Sequence, residues 1–199
     1  MKRTIQTLLL AGLIAGGTLA SAAEIPPHGR VTLPAVPSNL EVPDGHRPYL
    51  IAHAVGTQNQ ICLPRTSGVG LGWSFIGPQA TLFNSQDEQI ATHFLSLNPE
   101  EPNVARATWQ SSRDTSAVWA VAIASSTDPD YVEAGAVPWL LLETVGTEES
   151  PTWGRKLSET TYIQRVHTEG GVAPAGDCPA VGARLFVPYR ADYVFYRER

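Results

Sequence analysis

The chain of 199 residues carries 14 Lys+Arg against 19 Asp+Glu, a formal net charge of −5, with 43% hydrophobic residues and 2 cysteines. That is the wrong sign for nucleic acid or an anionic membrane surface, which need clustered Lys and Arg, and no basic run or cationic amphipathic stretch is present. The length and apolar fraction suffice for one domain with its own core.

The first element in chain order reads as an address. Met1-Lys2-Arg3 is a short basic start, followed by an apolar stretch over 8–19 and the small residues Ala20-Ser21-Ala22-Ala23. This is the pattern of a secretory signal with an Ala-x-Ala cleavage site. The apolar run falls short of the roughly 20 residues a bilayer-spanning helix needs. The expectation is a signal peptide over 1–23, no transmembrane segment in the mature protein, and export to the periplasm or beyond the cell. Loss of Lys2 and Arg3 with the leader lowers the net charge by two, from −5 to −7. Residues 24–47, EIPPHGRVTLPAVPSNLEVPDGHR, hold five prolines and little periodicity. Proline fixes φ and removes a ladder donor, so an extended arm over the domain surface is expected.

From Pro48 onward, short strand-like runs alternate with turn signals. They fall at 49–55, 58–63, 71–76, 80–83, 89–95, 104–111, 117–124, 139–145, 160–168, 183–187 and 192–196. Between them lie Gly77-Pro78, Asn84-Ser85-Gln86-Asp87, Asn98-Pro99, Asp128-Pro129 and Gly170-Gly171. This spacing predicts an all-β single domain over 48–199, an antiparallel sandwich or barrel of about 9–11 short strands. Helical period is nearly absent. Only DPDYVE, from Asp128, has the residues for one helical turn, with Asp128 as its cap and Pro129 first in the turn.

The stretch AHAVGTQNQICLP, residues 52–64, changes character at Gly56. Alternation places Tyr49, Ile51, His53 and Val55 on one face and Leu50, Ala52 and Ala54 on the other. A glycine inside such a pattern predicts a bulge or a close backbone approach. The polar run then starts a segment with Gln58, Gln60 and Cys62 on a shared face. Gln58, Asn59 and Gln60 carry donors and acceptors that suit either loop backbone or a polar ligand. Cys62 and Cys178, the only cysteines of a chain expected to be exported, are expected to pair. The loop entropy removed from the unfolded state would then be worth roughly 4 to 5 kcal/mol at most.

The segments GTQNQIC, GPQATLF, ATHFLSLNPEE, RATWQSSRDTSAVWA, GAVPWLLLETVG, TYIQRVHTEGG and VPYRADYVFY occur in this order. Together they resemble the domain-of-unknown-function family 3455, secreted proteins of bacteria and fungi, over about residues 35–197. The resemblance implies a β-rich exported protein with a cysteine near each end, and no established activity or catalytic residues. The family pattern often has an aromatic after Thr-Gln-Asn, where this chain has Gln60.

Catalytic signatures are absent: there is no G-x-S-x-G, no G-x-x-x-x-G-K-[ST] and no H-E-x-x-H. The five histidines, His28, His46, His53, His93 and His167, show no paired ligand spacing, and no metal or cofactor is implied. His53 shares a face with apolar residues and reads as a satisfied core histidine. His93 is the candidate general base, because a hairpin could return Asp87 or Glu88 to it. Arg113 could grip a substrate carboxylate or clamp a loop with Asp114. Trp119 and Trp139 read as core. Trp153, in the Pro/Gly loop ESPTWGRK, is the aromatic expected at a binding surface. The functional expectation is a non-enzymatic binding module for a cell-envelope or extracellular ligand, a glycan or a protein. The alternative is a hydrolase-like enzyme with a novel site around His93.

Overall fold

The computed structural model describes residues 33–199, so the expected signal segment and the arm through residue 32 lie outside the described residues. Eight antiparallel strands follow in chain order: β1 (His46–Pro64), β2 (Leu71–Phe83), β3 (Gln89–Leu97), β4 (Ala105–Ser111), β5 (Ala117–Ser126), β6 (Trp139–Glu148), β7 (Tyr162–Gly170) and β8 (Arg184–Glu198). Each pairs with its sequence neighbours, and β1 pairs with β8 to close a barrel. The strands are fewer and longer than the turn signals suggested. Runs 49–55 and 58–63 are continuous in β1, 71–76 and 80–83 in β2, and 183–187 and 192–196 in β8.

Gly56 explains the first merger. It introduces no register shift and pairs with Ala80 on one side and Tyr189 on the other. Its role is close approach: a Cβ there would stand 2.5 Å from the Cα of Ala80. The irregularity sits on β2 instead. Asn59 faces Gly77 and Gln60 faces Phe75, leaving Ile76 as the extra residue, beside Gly77 with its φ of 128°.

Inward parity therefore runs unbroken along β1 through Ala52, Ala54, Gln58, Gln60 and Cys62, all buried. His53 and Val55 face outward, which corrects the expectation of a core histidine at 53. The reason is room. An eight-stranded barrel has an interior only wide enough for side chains. Bulky Trp109, Tyr189, Tyr193 and Phe195 on other strands demand small residues on β1. Outside, His53 Nδ1 donates to Asp192 Oδ1 at 2.6 Å and His167 Nδ1 to Asp192 Oδ2 at 2.9 Å. A bulge in β7 between Val166 and Glu169, with φ of 48° at His167, turns that imidazole out to the same carboxylate.

A second apolar cluster covers the outer face of β6–β8. Leu40, from the 3-10 turn Ser38–Leu40, packs there with Val132, Trp139, Leu141, Val166, Val194 and Tyr196. Gln164 Nε2 donates to the Leu40 carbonyl at 2.6 Å, and Gln164 Oε1 accepts from Tyr196 Oη at 2.6 Å. Asp128 opens a single turn, its carbonyl accepting from Val132 N at 2.8 Å.

Cys62 and Cys178 form the expected disulfide, Cα atoms 5.7 Å apart and 116 residues apart in sequence. The bridge pins the β7–β8 connection to the end of β1, where Arg65 also donates to Asp177 and to the Gly176 carbonyl. Replacing both cysteines by serine is expected to lower stability by about 3 to 5 kcal/mol, measured as a fall in the urea midpoint. Gly56→Ala is expected to cost about 3 kcal/mol by forcing β1 away from Ala80, and an unchanged melting temperature would contradict the close-approach assignment.

Candidate functional site

The interior of the barrel is not uniformly filled. Toward the end reached by the C-terminal half of β3, alanines are prominent in the wall: Ala105, Ala107, Ala120 and Ala122, with Leu140 and Leu142, line a cavity of about 240 Å³. Phe75, Pro78 and Leu95 border it. The strands part at this end, because β2 and β3 pair only from Ala80–His93 to Phe83–Gln89. Phe75 is 54% exposed and Leu95 38%, giving the opening an apolar edge.

Six polar or amphipathic side chains from five different strands line this space: Gln58 on β1, His93 on β3, Arg106 and Trp109 on β4, Arg165 on β7 and Tyr193 on β8. His93 stacks on Trp109 with ring centroids 4.1 Å apart and 10° between planes, and Tyr193 meets both rings edge-on. The His93 Nδ1 to Thr108 carbonyl distance is 2.9 Å. A carbonyl only accepts, so the proton sits on Nδ1 and Nε2 is left an acceptor. Burial holds the imidazole down to about 3, the Thr108 bond opposing and the Arg165 charge adding to the effect. Burial also raises the phenols of Tyr189 and Tyr193 far from ionisation.

Two donors in this group are orphaned. Gln58 Nε2 and Trp109 Nε1 are buried without a hydrogen-bond partner. An unmet buried donor costs about 1–3 kcal/mol. The larger groove of about 850 Å³ outside β1–β3, past Thr57, Asn59, Gln79 and Thr92, includes no such atom in its lining.

The residues expected from sequence are dispersed. Asp87 and Glu88 occupy the exposed β2–β3 turn, and the hydrogen bond of His93 goes to Thr108, not to either acid. Arg113 pairs with Glu88 at 2.9 Å and borders a separate pocket with Leu50, Ile90 and Leu157. Asp114 is the loop clamp. Burial pushes its carboxyl up, but hydrogen bonds from Lys156 N, Ser116 and Ser111 outweigh this and hold it below the usual range. Gln58 and Gln60 face inward, while Asn59 lies on the outside, accepting from Thr57 Oγ1 at 2.7 Å. Trp153 is 84% exposed at a φ of 65°. Trp109, Arg165 and Tyr193 escaped the sequence reading; the one available signal was a charged residue, Arg165, on the same strand face as Ile163. Among the described residues, no three His, Cys, Asp or Glu side chains are grouped to hold a metal ion, and no helix is long and apolar enough to cross a membrane.

The class these features define is a closed antiparallel barrel with a small cavity inside one end. Over residues 43–197 the chain belongs to a protein family of unknown function, DUF3455. No curated protein matches it, and no solved structure does.

The burial of His93 sets a pH dependence. An unfolded chain protonates this residue near pH 6.5 and the folded one only near pH 3. Its contribution to stability is therefore complete above pH 6.5 and is lost as the pH falls through that window, by up to about 1.4 kcal/mol per pH unit. His93→Gln is expected to flatten the loss between pH 7 and 4.5 by about 2 kcal/mol, read from urea unfolding at each pH.

Proposed function

We propose that this protein is an exported, non-catalytic binding module that holds a small, mostly apolar molecule inside the open end of its barrel. The observation that carries this reading is the pair of orphaned donors, Gln58 Nε2 and Trp109 Nε1, in the lining of one cavity. Native interiors pair their buried polar groups, and exceptions point to a missing partner. Small-molecule sites have this form: an apolar concave wall with a few convergent polar atoms. By comparison with a 150 Å³ cavity that admits benzene, the volume suits a molecule of about ten non-hydrogen atoms. The apolar edge at Phe75 and Leu95 gives such a molecule a route in.

Export is supported by the disulfide, which suits an oxidising compartment, and by the leader pattern at the start of the chain. A hydrolytic role for His93 has less support. Its basicity is far below working pH, and its ring partner is a backbone carbonyl rather than an acid. Trp153, standing free on its loop, is the proposed outer contact for envelope material.

Ala120→Leu tests the cavity. The substitution fills it with an apolar side chain and is expected to raise or preserve the melting temperature. A thermal-shift screen of molecules of about ten non-hydrogen atoms is expected to give hits that stabilise the wild type by about 2.7 kcal/mol at a hundredfold excess over Kd. Those hits should lose at least tenfold in affinity for Ala120→Leu. Equal stabilisation of both proteins would remove the cavity as the binding site.

A further inference from the structure

The charge inside the barrel is unbalanced. The cavity lining contains two arginines and no acid. One of them, Arg106, is already neutralised: its Nε and Nη2 donate to the two oxygens of Glu101 at 2.8 and 2.6 Å. The other, Arg165, is not. Its Nε and Nη2 both donate to the Pro138 carbonyl, at 3.1 and 2.8 Å. None of the ion pairs among the described residues includes it.

A guanidinium brought inside a barrel without a counter-charge is expensive, and folded proteins keep such a group where something else completes it. Here the neighbouring atoms favour an anion further. The N–H groups of Gln58 and Trp109 are unmet donors in the same lining. Nothing in that lining supplies a competing negative charge. Arg165 is held by the Pro138 carbonyl, which fixes the fork, so little rotamer freedom is lost when an anion arrives. The remaining wall is His93 and Tyr193 with alanine, leucine, valine, proline and phenylalanine.

Resting on the cavity reading above, we infer that the ligand is a small monocarboxylic acid with an apolar body, its carboxylate held by Arg165 and the donors of Gln58 and Trp109. One uncompensated cation matches one negative charge. A carboxylate accepts from a guanidinium edge and from neighbouring N–H groups together. The apolar body occupies the space walled by Ala105, Ala107, Ala120 and Leu142.

Titration calorimetry of the mature chain with phenylacetate and hexanoate, beside their neutral counterparts 2-phenylethanol and hexan-1-ol, tests this. At least one acid is expected to bind ten times tighter than its alcohol or better. In Arg165→Met that preference is expected to vanish while the alcohol binds as before. Alcohols that bind the wild type as tightly as the acids would overturn the carboxylate assignment and leave the cavity reading standing. An acid preference that survives in Arg165→Met would overturn the role of Arg165. Failure of all four to bind would take down both readings. Should Arg165→Met not fold, the acid-to-alcohol ratio of the wild type decides alone.

Discussion

The barrel closes through the pairing of β1 with β8, from His46 opposite Glu198 to Ile61 opposite Arg184, and most of the molecule follows from that closure. A closed sheet of eight strands has a set radius, so its interior is a fixed volume shared by all inward side chains. Where β4 and β8 contribute Trp109, Tyr193 and Phe195, β1 can contribute only Ala52, Ala54 and Gly56. Close packing of the middle is thus a trade between strands far apart in sequence. Asp192 reinforces the seam, accepting from His53 on β1 and His167 on β7 across β8.

The same accounting explains the cavity. At the end where Ala105, Ala107, Ala120 and Ala122 gather, their small side chains leave space unfilled. The void is lined by these alanines, by Leu140 and Leu142, and by the His93–Trp109–Tyr193 aromatic group. The aromatic group is rigid, because the rings contact one another and His93 is anchored on Thr108. Rigidity matters for recognition, since a site that does not reorganise loses little entropy when a ligand arrives. The outer cluster around Leu40 and Trp139 serves the opposite purpose, burying a face of the sheet against the N-terminal segment.

Electrostatically, the interior is a donor-rich, cation-bearing space in which the titratable neighbours stay neutral. Burial keeps His93 without charge at neutral pH and keeps both tyrosines protonated. Arg165 is then the only uncompensated charge lining the cavity. A low local dielectric strengthens whatever that charge meets. Arg106, in the same lining, makes the contrast: Glu101 accepts two of its hydrogen bonds and is itself held down to about 2 by them.

The sequence alone determined the all-β class, the turns at Asn84–Asp87, Asn98-Pro99 and Asp128-Pro129, the pairing of its two cysteines and the shared face of Gln58, Gln60 and Cys62. These are local properties, set by a two-residue period, by glycine and proline, and by the presence of two thiols in a chain that carries a leader pattern. It also placed Trp153 in a loop without apolar neighbours, where the structure leaves it 84% exposed. Only the tertiary structure decided which face of β1 turns inward, because alternation defines two faces and not their fate, and His53 went out for lack of room. Only closure merged eleven strand-like runs into eight strands, with Gly56 passing through as close approach and Ile76 taking up the bulge. The site lay furthest from view. Gln58, His93, Trp109, Arg165 and Tyr193 come from five strands spread over 136 residues of chain, and what unites them, a shared void and an unanswered charge, exists only once the barrel is shut.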